Sequence, residues 1–323
     1  MHPVVAESVR SIASASREKL RQFINAYWLR PENAFWMMLR SDALSAVPLA
    51  APCADLSCGD GIFSFLHAGG RLAPEFDVFR GVGNLERVTA DGGDMFDHVD
   101  ASYQPRVIGR PKYRLHCGTD CKPTMLTKAA ALDFYEHLTP HDHNHPLPFE
   151  TDCFESVYCN AAYWVERIEQ FLTELHRITV PGGTVALQVK LDDIGRYTLE
   201  RHREMLGDRW WGIMHGDRFD HWPTLCDRST WEQRFESAGF EILAAIPFVT
   251  GTHAHIWNVG LRPIAPMLIR AMNNVHDHLR AEIKRDWVDL FCDLLDPLCR
   301  PDFDLTDSPT DAVEIQYVLT PRG

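Results

Sequence analysis

Hydrophobic and polar positions alternate along the chain with two periods, one typical of strands and one typical of helices. The short apolar run APCADLS, at residues 51–57, predicts a buried strand. The segment VERIEQFLTELHRIT, at 165–179, predicts an amphipathic helix because its apolar residues recur three and four positions apart. The residues that share its apolar face are Ile168, Phe171, Leu172, Leu175 and Ile178.

The same two patterns predict further elements along the chain. Strands are predicted at YRLHCGTD (113–120), FESVYCN (154–160), TVALQVKL (184–191), EILAAIPFV (241–249) and AVEIQYVLTP (312–321). Helices are predicted at 5–27, at 30–47 with Asn33 as a cap, at 122–135, at 228–240 with Gly239 ending it, and at 264–300. Strands that alternate with helices indicate an α/β fold with a largely parallel sheet covered on both faces.

The regular pattern is lost between Gly69 and Pro111. The residues ADGGDMFDHVDASYQPRVIGRPK, at 90–112, are rich in Gly, Asp and Pro and show no steady period. We interpret residues 67–111 as an insertion that packs over the edge of the core and is partly loop.

The composition limits the classes of partner and compartment. The chain has 45 acidic against 32 basic side chains in 323 residues, and this formal net charge of −13 disfavours nucleic acid as a partner. The first residues carry no apolar signal-peptide core, and no apolar run is long enough to span a membrane. Nine scattered cysteines fit a reducing compartment, so we expect a cytoplasmic protein. Their spacings do not match a zinc site, and we expect no metal.

The stretch ADLSCGDGIFSF, at 54–65, carries the first chemical signal. Gly59 and Gly61 follow a predicted strand, where glycines let a ligand approach the backbone. Asp55 and Asp60 add carboxylates that would repel the diphosphate of a nicotinamide cofactor. A cationic cofactor with an amino group would not be repelled, so this turn favours S-adenosylmethionine over NAD.

Further polar motifs follow at later strand ends. Asp120 stands at the carboxyl end of the next predicted strand, where one carboxylate can bind both hydroxyls of a ribose. A rival second strand, FDVFRGVGN at 76–84, ends in Gly83 rather than in an acid. The segments HDHNHPLPFETDCFESVYCN, at 141–160, and HRITVPGG, at 176–183, complete the series.

This series resembles the class I S-adenosylmethionine-dependent methyltransferases, in particular their type 11 group. The family has a D-L-G-C-G-x-G turn, an acid after the second strand, a D-x-x-x-LPF segment and a helix followed by PGG. Here they stand as DLSCGDG, GTD, HDHNHPLPFETDCFESVYCN and HRITVPGG, over about residues 50–190. Ser57 replaces the family's first glycine, and Phe154-Glu155 replaces its Phe-Asp. The resemblance implies a seven-stranded Rossmann-like sheet, mostly parallel with the last strand antiparallel, with N-terminal helices and helical insertions.

The resemblance also implies S-adenosylmethionine as the cofactor. The backbone of 57–61 would line its methionine part, Asp55 would lie near its amino group, Asp120 would hold the ribose, and Asp142 would accept a hydrogen bond from the adenine amino group. The implied cofactor-binding residues are Asp55, Ser57, Cys58, Gly59, Asp60, Gly61, Asp120, Cys121, Asp142, His143, Asn160 and Ala161.

The family resemblance also implies roles for Cys121, His143, Asn160 and Ala161. Cys121 would flank the adenine, and the backbone of His143 would reach a ring nitrogen, with the loop histidines facing solvent. Asn160 and Ala161 would face the sulfonium and the acceptor. The implied organisation has a helical lid at 1–48, a core at 49–246 that binds S-adenosylmethionine, and a helical insertion with the final strand at 247–323 that caps the substrate.

The catalytic residue is the least defined part, because methyl transfer mainly requires alignment and exclusion of water. Candidate proton acceptors are Tyr163, His215, His221, His253 and His255, and for each histidine a structural or surface role stays open. Candidate walls of the substrate pocket are Trp164 and Trp257. The N-terminal Tyr27, Trp28, Trp36 and Arg40 either pack the first helices or close a lid over the cofactor.

We therefore expect methyl transfer from S-adenosylmethionine to a small-molecule acceptor, by C- or O-methylation. The acceptor classes left open are a secondary metabolite, an isoprenoid or lipid-like molecule, and a sugar. Two other functions stay open: a non-catalytic binding module with this fold, and a nicotinamide-dependent oxidoreductase, which would need G-x-G-x-x-G after the first strand. We expect neither nucleic acid nor membrane insertion, and an oligomer of identical chains stays open.

Overall fold

The computed structural model describes residues 3–80, 95–101, 103–214, 222–272, 274–300 and 311–322. Within these ranges, seven strands form one sheet and two short strands form another. In chain order the strands are β1 (Cys53–Leu56), β2 (Arg71–Leu72), β3 (Val107–Gly109), β4 (Leu115–Asp120), β5 (Tyr135–Pro140), β6 (Phe154–Cys159), β7 (Thr179–Lys190), β8 (Phe240–Thr250) and β9 (Ala312–Pro321).

The large sheet has the order β5-β4-β1-β6-β7-β9-β8. The first five strands in this order are parallel, and β9 is antiparallel to both of its neighbours. This confirms the predicted seven-stranded sheet with an antiparallel last strand. Because β4 pairs with β1, YRLHCGTD is the second strand of the sheet, and the described part of the rival, residues 76–80, contains no strand.

Helices cover both faces of the sheet. They are α1 (Pro3–Ala26), α2 (Pro31–Leu44), α3 (Ile62–His67), α4 (Pro123–Ala130), α5 (Ile168–Ile178), α6 (Arg203–Met214), α7 (Arg228–Ser237), α8 (Gly251–His255), α9 (Ala265–Met272) and α10 (Asp277–Leu295). Among the described helices, none combines the length and the apolar character that a membrane span requires.

The hydrophobic core is divided into two clusters by the sheet. On one face, Leu172 of α5 and Trp231 of α7 pack with Val157 of β6. On the other face, Phe35 of α2 and Phe63 of α3 belong to the cluster that also contains α1 residues. The apolar face predicted for α5 is confirmed, since all five of its residues are buried. A parallel sheet needs this double cover because both of its faces are apolar.

The helix predicted over 122–135 is too long. α4 ends at Ala130, and the chain turns before β5 begins at Tyr135. Asp133 lies in this turn with a φ of 50°, a left-handed conformation that a helix cannot contain. Tyr135 therefore begins the third strand of the sheet, and Phe134 lies directly before this strand rather than in a helix.

Two boundaries also differ from the sequence predictions. α2 begins at Pro31 with Arg30 at its N-cap and no side-chain cap, so Asn33 lies inside the first turn rather than capping it. Proline fits the first helical position because its missing N–H has no partner there in any case. β8 continues to Thr250, so the domain boundary expected after residue 246 falls inside a strand.

The described part of the insertion is bound to α10 by buried polar contacts. β2 pairs with β3 in an antiparallel ladder, so the segment is not only loop. Asp77 forms a buried ion pair with Arg280 of α10, with Oδ2 2.7 Å from Nη2 and 3.0 Å from Nε. Lys284, one turn further along α10, donates to the carbonyl of Pro74 at 2.7 Å. The described part of the insertion thus packs against α10.

Candidate functional site

The candidate site lies at one edge of the sheet. β1, β4, β6 and β7 are parallel, so their carboxyl ends meet there. The turn at 57–61 follows β1, Asp120 ends β4, Asn160 follows β6, and Lys190 ends β7. Ligands of open α/β sheets bind at this edge.

The turn after β1 is bent by three residues with positive φ. Ser57, Gly59 and Gly61 have φ values of 61°, 58° and 74°. A side chain at Gly59 would meet no atom within 4 Å, whereas one at Gly61 would lie 2.9 Å from the ring of Tyr135. Gly61 is therefore required by packing, and Gly59 leaves open space in which a ligand can contact the backbone.

Asp120 closes this space from the side of β4. Its Oδ2 accepts a hydrogen bond from the N–H of Gly59 at 3.1 Å, and its Oδ1 accepts one from the N–H of Lys122 at 2.9 Å. Burial raises the pKa of Asp120, although these two hydrogen bonds and the charge of Lys122 act in the opposite direction. The structure thus brings together the glycine turn and the strand-end carboxylate, as the sequence predicts.

Asp55 and Asp60 differ from their predicted roles, because their carboxylates point into the protein. Asp55 accepts hydrogen bonds from the hydroxyls of Ser64 and Tyr135, the latter at 2.6 Å. Burial raises the pKa of Asp55 to about 6. Asp60 accepts from the hydroxyl of Tyr27 with both oxygens, at 2.8 and 2.7 Å. These contacts hold the turn. They direct the Asp55 carboxylate into the protein, away from the position that was expected for it beside a cofactor amino group.

His143 is buried rather than facing solvent. Its Nδ1 lies 3.1 Å from Oγ of Ser57, and its Nε2 lies 2.9 Å from Oγ1 of Thr119. The ring stacks on Phe171 with centroids 5.1 Å apart. Burial lowers the pKa of His143 to about 4, so the imidazole is neutral near pH 7. It ties the turn after β1 to the end of β4, and the hydroxyl of Ser57, a residue in a left-handed conformation, supplies one of the two contacts.

The remaining cofactor residues lie along the same edge. Oδ1 of Asp142 accepts from the N–H of Asn144 at 2.9 Å, which shapes the loop and leaves the residue exposed. Nδ2 of Asn160 donates to the hydroxyl of Tyr158 at 3.1 Å. The others differ in exposure: Cys121 is exposed, Cys58 is buried, and Ala161 is intermediate.

A second feature of this edge is a pocket of about 160 Å³ beyond β6 and β7. We call it the aromatic pocket, and the residues that line it are Asn33, Trp36, Met37, Arg40, Tyr163, Trp164, Lys190, Trp222 and Trp257. It brings together Tyr163, Trp164 and Trp257, which the sequence singled out for the acceptor site. The α2 residues recur at helical spacing, so α2 presents one face to the pocket.

Buried charges form the floor of the aromatic pocket. Glu314 on β9 stands opposite Lys190 on β7, and Nζ of Lys190 lies 2.8 Å from its Oε2. Nη2 of Arg40 lies 2.6 Å from Oε1 of the same carboxylate, and Nε1 of Trp36 also donates to it. Burial raises the pKa of Glu314, but the charges of Arg40 and Lys190 outweigh it and leave the pKa below its ordinary value.

Aromatic rings surround the lysine ammonium. Nζ of Lys190 lies 4.1 Å from the ring centroid of Trp36, 5.0 Å from that of Tyr163, 5.3 Å from Trp222 and 6.0 Å from Trp257. These distances are typical of cation–π contacts. Lys190 and Trp222 were not predicted as site residues, and Arg40 was predicted only as a packing or lid residue. The available signal for Lys190 was a charged residue at the end of an otherwise apolar strand.

Among the described residues, the predicted histidine bases His253 and His255 do not line the aromatic pocket. His215 and His221 lie outside the described residues. His253 is buried in α8, where Nδ1 accepts from the N–H of Thr250 at 3.1 Å and Nε2 lies 3.0 Å from the carbonyl of Leu298. His255 is exposed. The segment is helical rather than extended, so His253 and His255 do not share a face, and His253 serves to cap the helix.

Two other features lie away from this edge. A cavity of about 630 Å³ is lined by residues 107–114 and 131–133, at the amino ends of β4 and β5. In the described part of the chain, His116, Glu136 and His137 are close enough to share a metal ion, but Nδ1 of His116 is already 2.8 Å from the Glu136 carboxylate. Neither feature is near the turn after β1.

Comparisons with known proteins agree with this geometry. Residues 107–187, about a quarter of the chain, match the model of the type 11 family described as a methyltransferase domain. No curated protein matches the chain. A similar solved structure is an S-adenosylmethionine-dependent methyltransferase from Thermotoga maritima, at 11% identity over 94% of this chain and 99% of that chain, with a TM-score of 0.44.

Two further solved structures are similar to a comparable degree. One is an S-adenosylmethionine-dependent methyltransferase from Mesorhizobium loti, at 14% identity over 88% of this chain and 96% of that chain, with a TM-score of 0.42. The other is the [4+2]-cyclase SpnF, at 14% identity over 88% and 82%, with a TM-score of 0.45. These TM-scores lie below 0.5, and the family similarity of the chain is carried by the match over residues 107–187. Residues 107–187 are thus similar to a methyltransferase domain of the type 11 family, and the described sheet has a Rossmann-like methyltransferase fold.

Proposed function

We propose that this protein binds S-adenosylmethionine at the turn after β1 and transfers its methyl group to a small molecule in the aromatic pocket. The observation that carries the proposal is the open space at Gly59 beside the Asp120 carboxylate. That space lies at the same sheet edge as the aromatic pocket. When bound, the cofactor supplies a methyl group activated by its sulfonium, so the protein has mainly to align it with the acceptor.

The donor set at the turn fits this cofactor better than a dinucleotide. The Asp120 carboxylate is positioned for two ribose hydroxyls, and the bare backbone at Gly59 allows close contact with the methionine part. Asp55 and Asp60 stand behind the turn and make it unfavourable for a diphosphate. This disfavours the nicotinamide-dependent alternative, and it supports the roles proposed for the backbone of 57–61.

The acceptor side requires orientation and a dry environment. Nη2 of Arg40 donates to the hydroxyl oxygen of Tyr163 at 3.1 Å, which leaves the hydroxyl proton available for the acceptor. Tyr163 and the indoles of the aromatic pocket exclude water from the reacting atoms. We propose Tyr163 as the residue that orients the acceptor. We also keep residues 1–48 as a lid that covers the site in a fixed position, and the helices after β8 as a cap.

Calorimetry with the full chain tests the cofactor. S-adenosylhomocysteine should bind the wild type and NAD should not, and Asp120→Ala should weaken binding about ten- to a hundredfold, the range for a hydrogen bond to a charged group. Asp286→Ala, which removes an exposed carboxylate on α10, is the matched control and should bind as the wild type does. Equal affinities for all three proteins would refute the role of Asp120, and NAD binding would favour an oxidoreductase.

Turnover separates an enzyme from a binding module. Methyl transfer from labelled S-adenosylmethionine to a panel of small acceptors should be detected by mass, and Tyr163→Phe should lower kcat while cofactor affinity is unchanged. S-adenosylhomocysteine binding without methyl transfer to any acceptor of the panel would favour the non-catalytic module.

A further inference from the structure

A group of three side chains lies near the amino ends of β4 and β5. His116 belongs to β4, and Glu136 and His137 are neighbours on β5. Each offers one ligand atom, an imidazole nitrogen or a carboxylate oxygen, and these three atoms all lie within 4.8 Å of one another. The turn after β1 and the aromatic pocket lie at the carboxyl ends of the strands, so this group belongs to neither.

The sheet brings two of the three side chains together. The register of the parallel strands β4 and β5 pairs Leu115 with Tyr135, so His116 stands beside Glu136. Nδ1 of His116 lies 2.8 Å from Oε2 of Glu136. Because both residues belong to paired strands, the backbone hydrogen bonds of the sheet fix their positions more precisely than a loop would.

His137 brings a second imidazole to the same place. Its ring centroid lies 5.2 Å from that of His116, and the two ring planes meet at 85°. Glu136 and His137 are exposed, and the His116 side chain is 41% exposed, so an ion can reach all three from solvent. A neutral imidazole has a lone pair on one ring nitrogen, which makes histidine the commonest metal ligand in proteins.

The contact between His116 and Glu136 is compatible with an ion between them. Zinc lies about 2.0–2.2 Å from nitrogen and oxygen ligands, so two neighbouring ligand atoms on one ion are about 3 Å apart. Nδ1 of His116 and Oε2 of Glu136 already have nearly this separation. When the ring proton of neutral His116 is on Nε2, Nδ1 and the carboxylate can both bind the ion, and His137 reaches it by rotation of an exposed side chain.

The kind of ligand selects the kind of ion. Two imidazoles and one carboxylate suit Zn²⁺, whereas Mg²⁺ and Ca²⁺ are bound mainly by oxygen ligands. Three protein ligands leave the fourth position of a tetrahedral zinc ion for water. None of the three is a cysteine, so the cysteine spacings that argued against zinc do not bear on this site.

We propose that His116, Glu136 and His137 bind one Zn²⁺ ion that links β5 to β4. Among the described strands, β5 stands at the edge of the large sheet and pairs only with β4. An ion held by one residue of β4 and two of β5 adds a cross-link near the amino end of this edge strand. The site is separate from the proposed cofactor and acceptor sites, so it stands or falls independently of methyl transfer.

Calorimetry with zinc chloride tests the site on the full chain after EDTA treatment and dialysis. We expect a Zn²⁺ ion whose binding is weakened at least tenfold in each of His116→Gln, Glu136→Gln and His137→Gln. His145→Gln is the matched control, since it removes an exposed histidine from another histidine-rich segment, and it should bind zinc as the wild type does. No zinc binding by the wild type, equal affinities in all five proteins, or binding of Mg²⁺ or Ca²⁺ as tight as that of Zn²⁺ would overturn the proposal.

Hydrogen exchange shows whether the ion joins the two strands. Zinc should slow the exchange of β5 amides at least threefold in the wild type, measured by mass spectrometry, and should have no effect in His137→Gln. Zinc binding that leaves β5 exchange unchanged would refute the cross-link. The wild type with and without zinc is compared with itself, so this result decides even if a variant does not fold.

Discussion

Acidification should destabilise this protein through His143, the buried imidazole that joins the turn after β1 to β4. Its pKa is about 4 in the folded chain because of burial, against an ordinary value of 6.5. Above pH 6.5 both folded and unfolded chains hold it neutral, so it contributes no pH dependence. Between pH 6.5 and 4 only the unfolded chain takes up the proton, and stability falls as the pH falls.

The size of the effect follows from the two pKa values. At pH 5 the proton taken up by the unfolded chain costs the folded state about 2 kcal/mol relative to pH 8. His67, whose pKa burial also lowers to about 4, adds a similar loss. His143→Gln removes the titrating group and keeps a polar side chain at the site, so the variant should lose about 2 kcal/mol less than the wild type between pH 8 and pH 5.

Urea unfolding at pH 8, 7, 6 and 5, followed by tryptophan fluorescence, measures this difference. His145→Gln is the matched control, since His145 lies in the same loop but is exposed, and its stability should follow that of the wild type at every pH. The two proteins are compared at each pH, so the contribution of His67 cancels. If the wild type and His143→Gln lose equal free energy on acidification, His143 is not the neutral bridge described here.

Further predictions concern the turn, its support and the sheet. Gly59→Ala should fold but bind S-adenosylhomocysteine more weakly by calorimetry, because a methyl group enters the open space and φ is 58°. Tyr27→Phe should lower the urea-derived stability by about 1.5–3 kcal/mol, because the buried Asp60 carboxylate loses a donor. Removal of residues 312–323 should give insoluble protein in a sedimentation assay, because β9 lies between β7 and β8; a soluble product would contradict this topology.

The sheet could be predicted from the sequence because its signals are local. Apolar runs end in Gly59, Asp120 and Asn160, and parallel strands bring such ends to one edge without further information. The last strand was predicted from the alternation at 312–321, and its antiparallel direction was implied by the family resemblance. The strands and their ends depend on residues that are close together in the sequence, and the structure agrees with these predictions.

The orientation of the two carboxylates in the turn, those of Asp55 and Asp60, could not be predicted in this way. Asp55 is bound by Tyr135, which is 80 positions away, and Asp60 by Tyr27, which is 33 positions away. Without knowledge of those donors, a carboxylate next to a glycine turn is expected to face the ligand. His253 illustrates the same problem, because its ring closes a cap with Thr250 once the segment forms a helix.

The floor of the aromatic pocket is built from polar residues that interrupt two otherwise apolar strands. Gln188 and Lys190 interrupt β7, and Glu314 and Gln316 interrupt β9, each at alternate positions. The register places Gln188 opposite Gln316 and Lys190 opposite Glu314. In a buried sheet such residues need partners, and their matched spacing in two predicted strands was the available signal for a polar site at this edge.

These polar pairs also determine where α2 can be. Nε2 of Gln188 donates to the carbonyl of Arg40 at 3.0 Å, and Nε2 of Gln316 donates to that of Ala43 at 2.8 Å. The same stripe of β7 and β9 therefore anchors the backbone of α2 and, two residues further along, builds the charged floor with Glu314. A lid movement of α2 would have to break both amide contacts and separate Arg40 from a fully buried carboxylate, which is costly. The position of the aromatic pocket relative to the turn after β1 is thus fixed by the sheet itself.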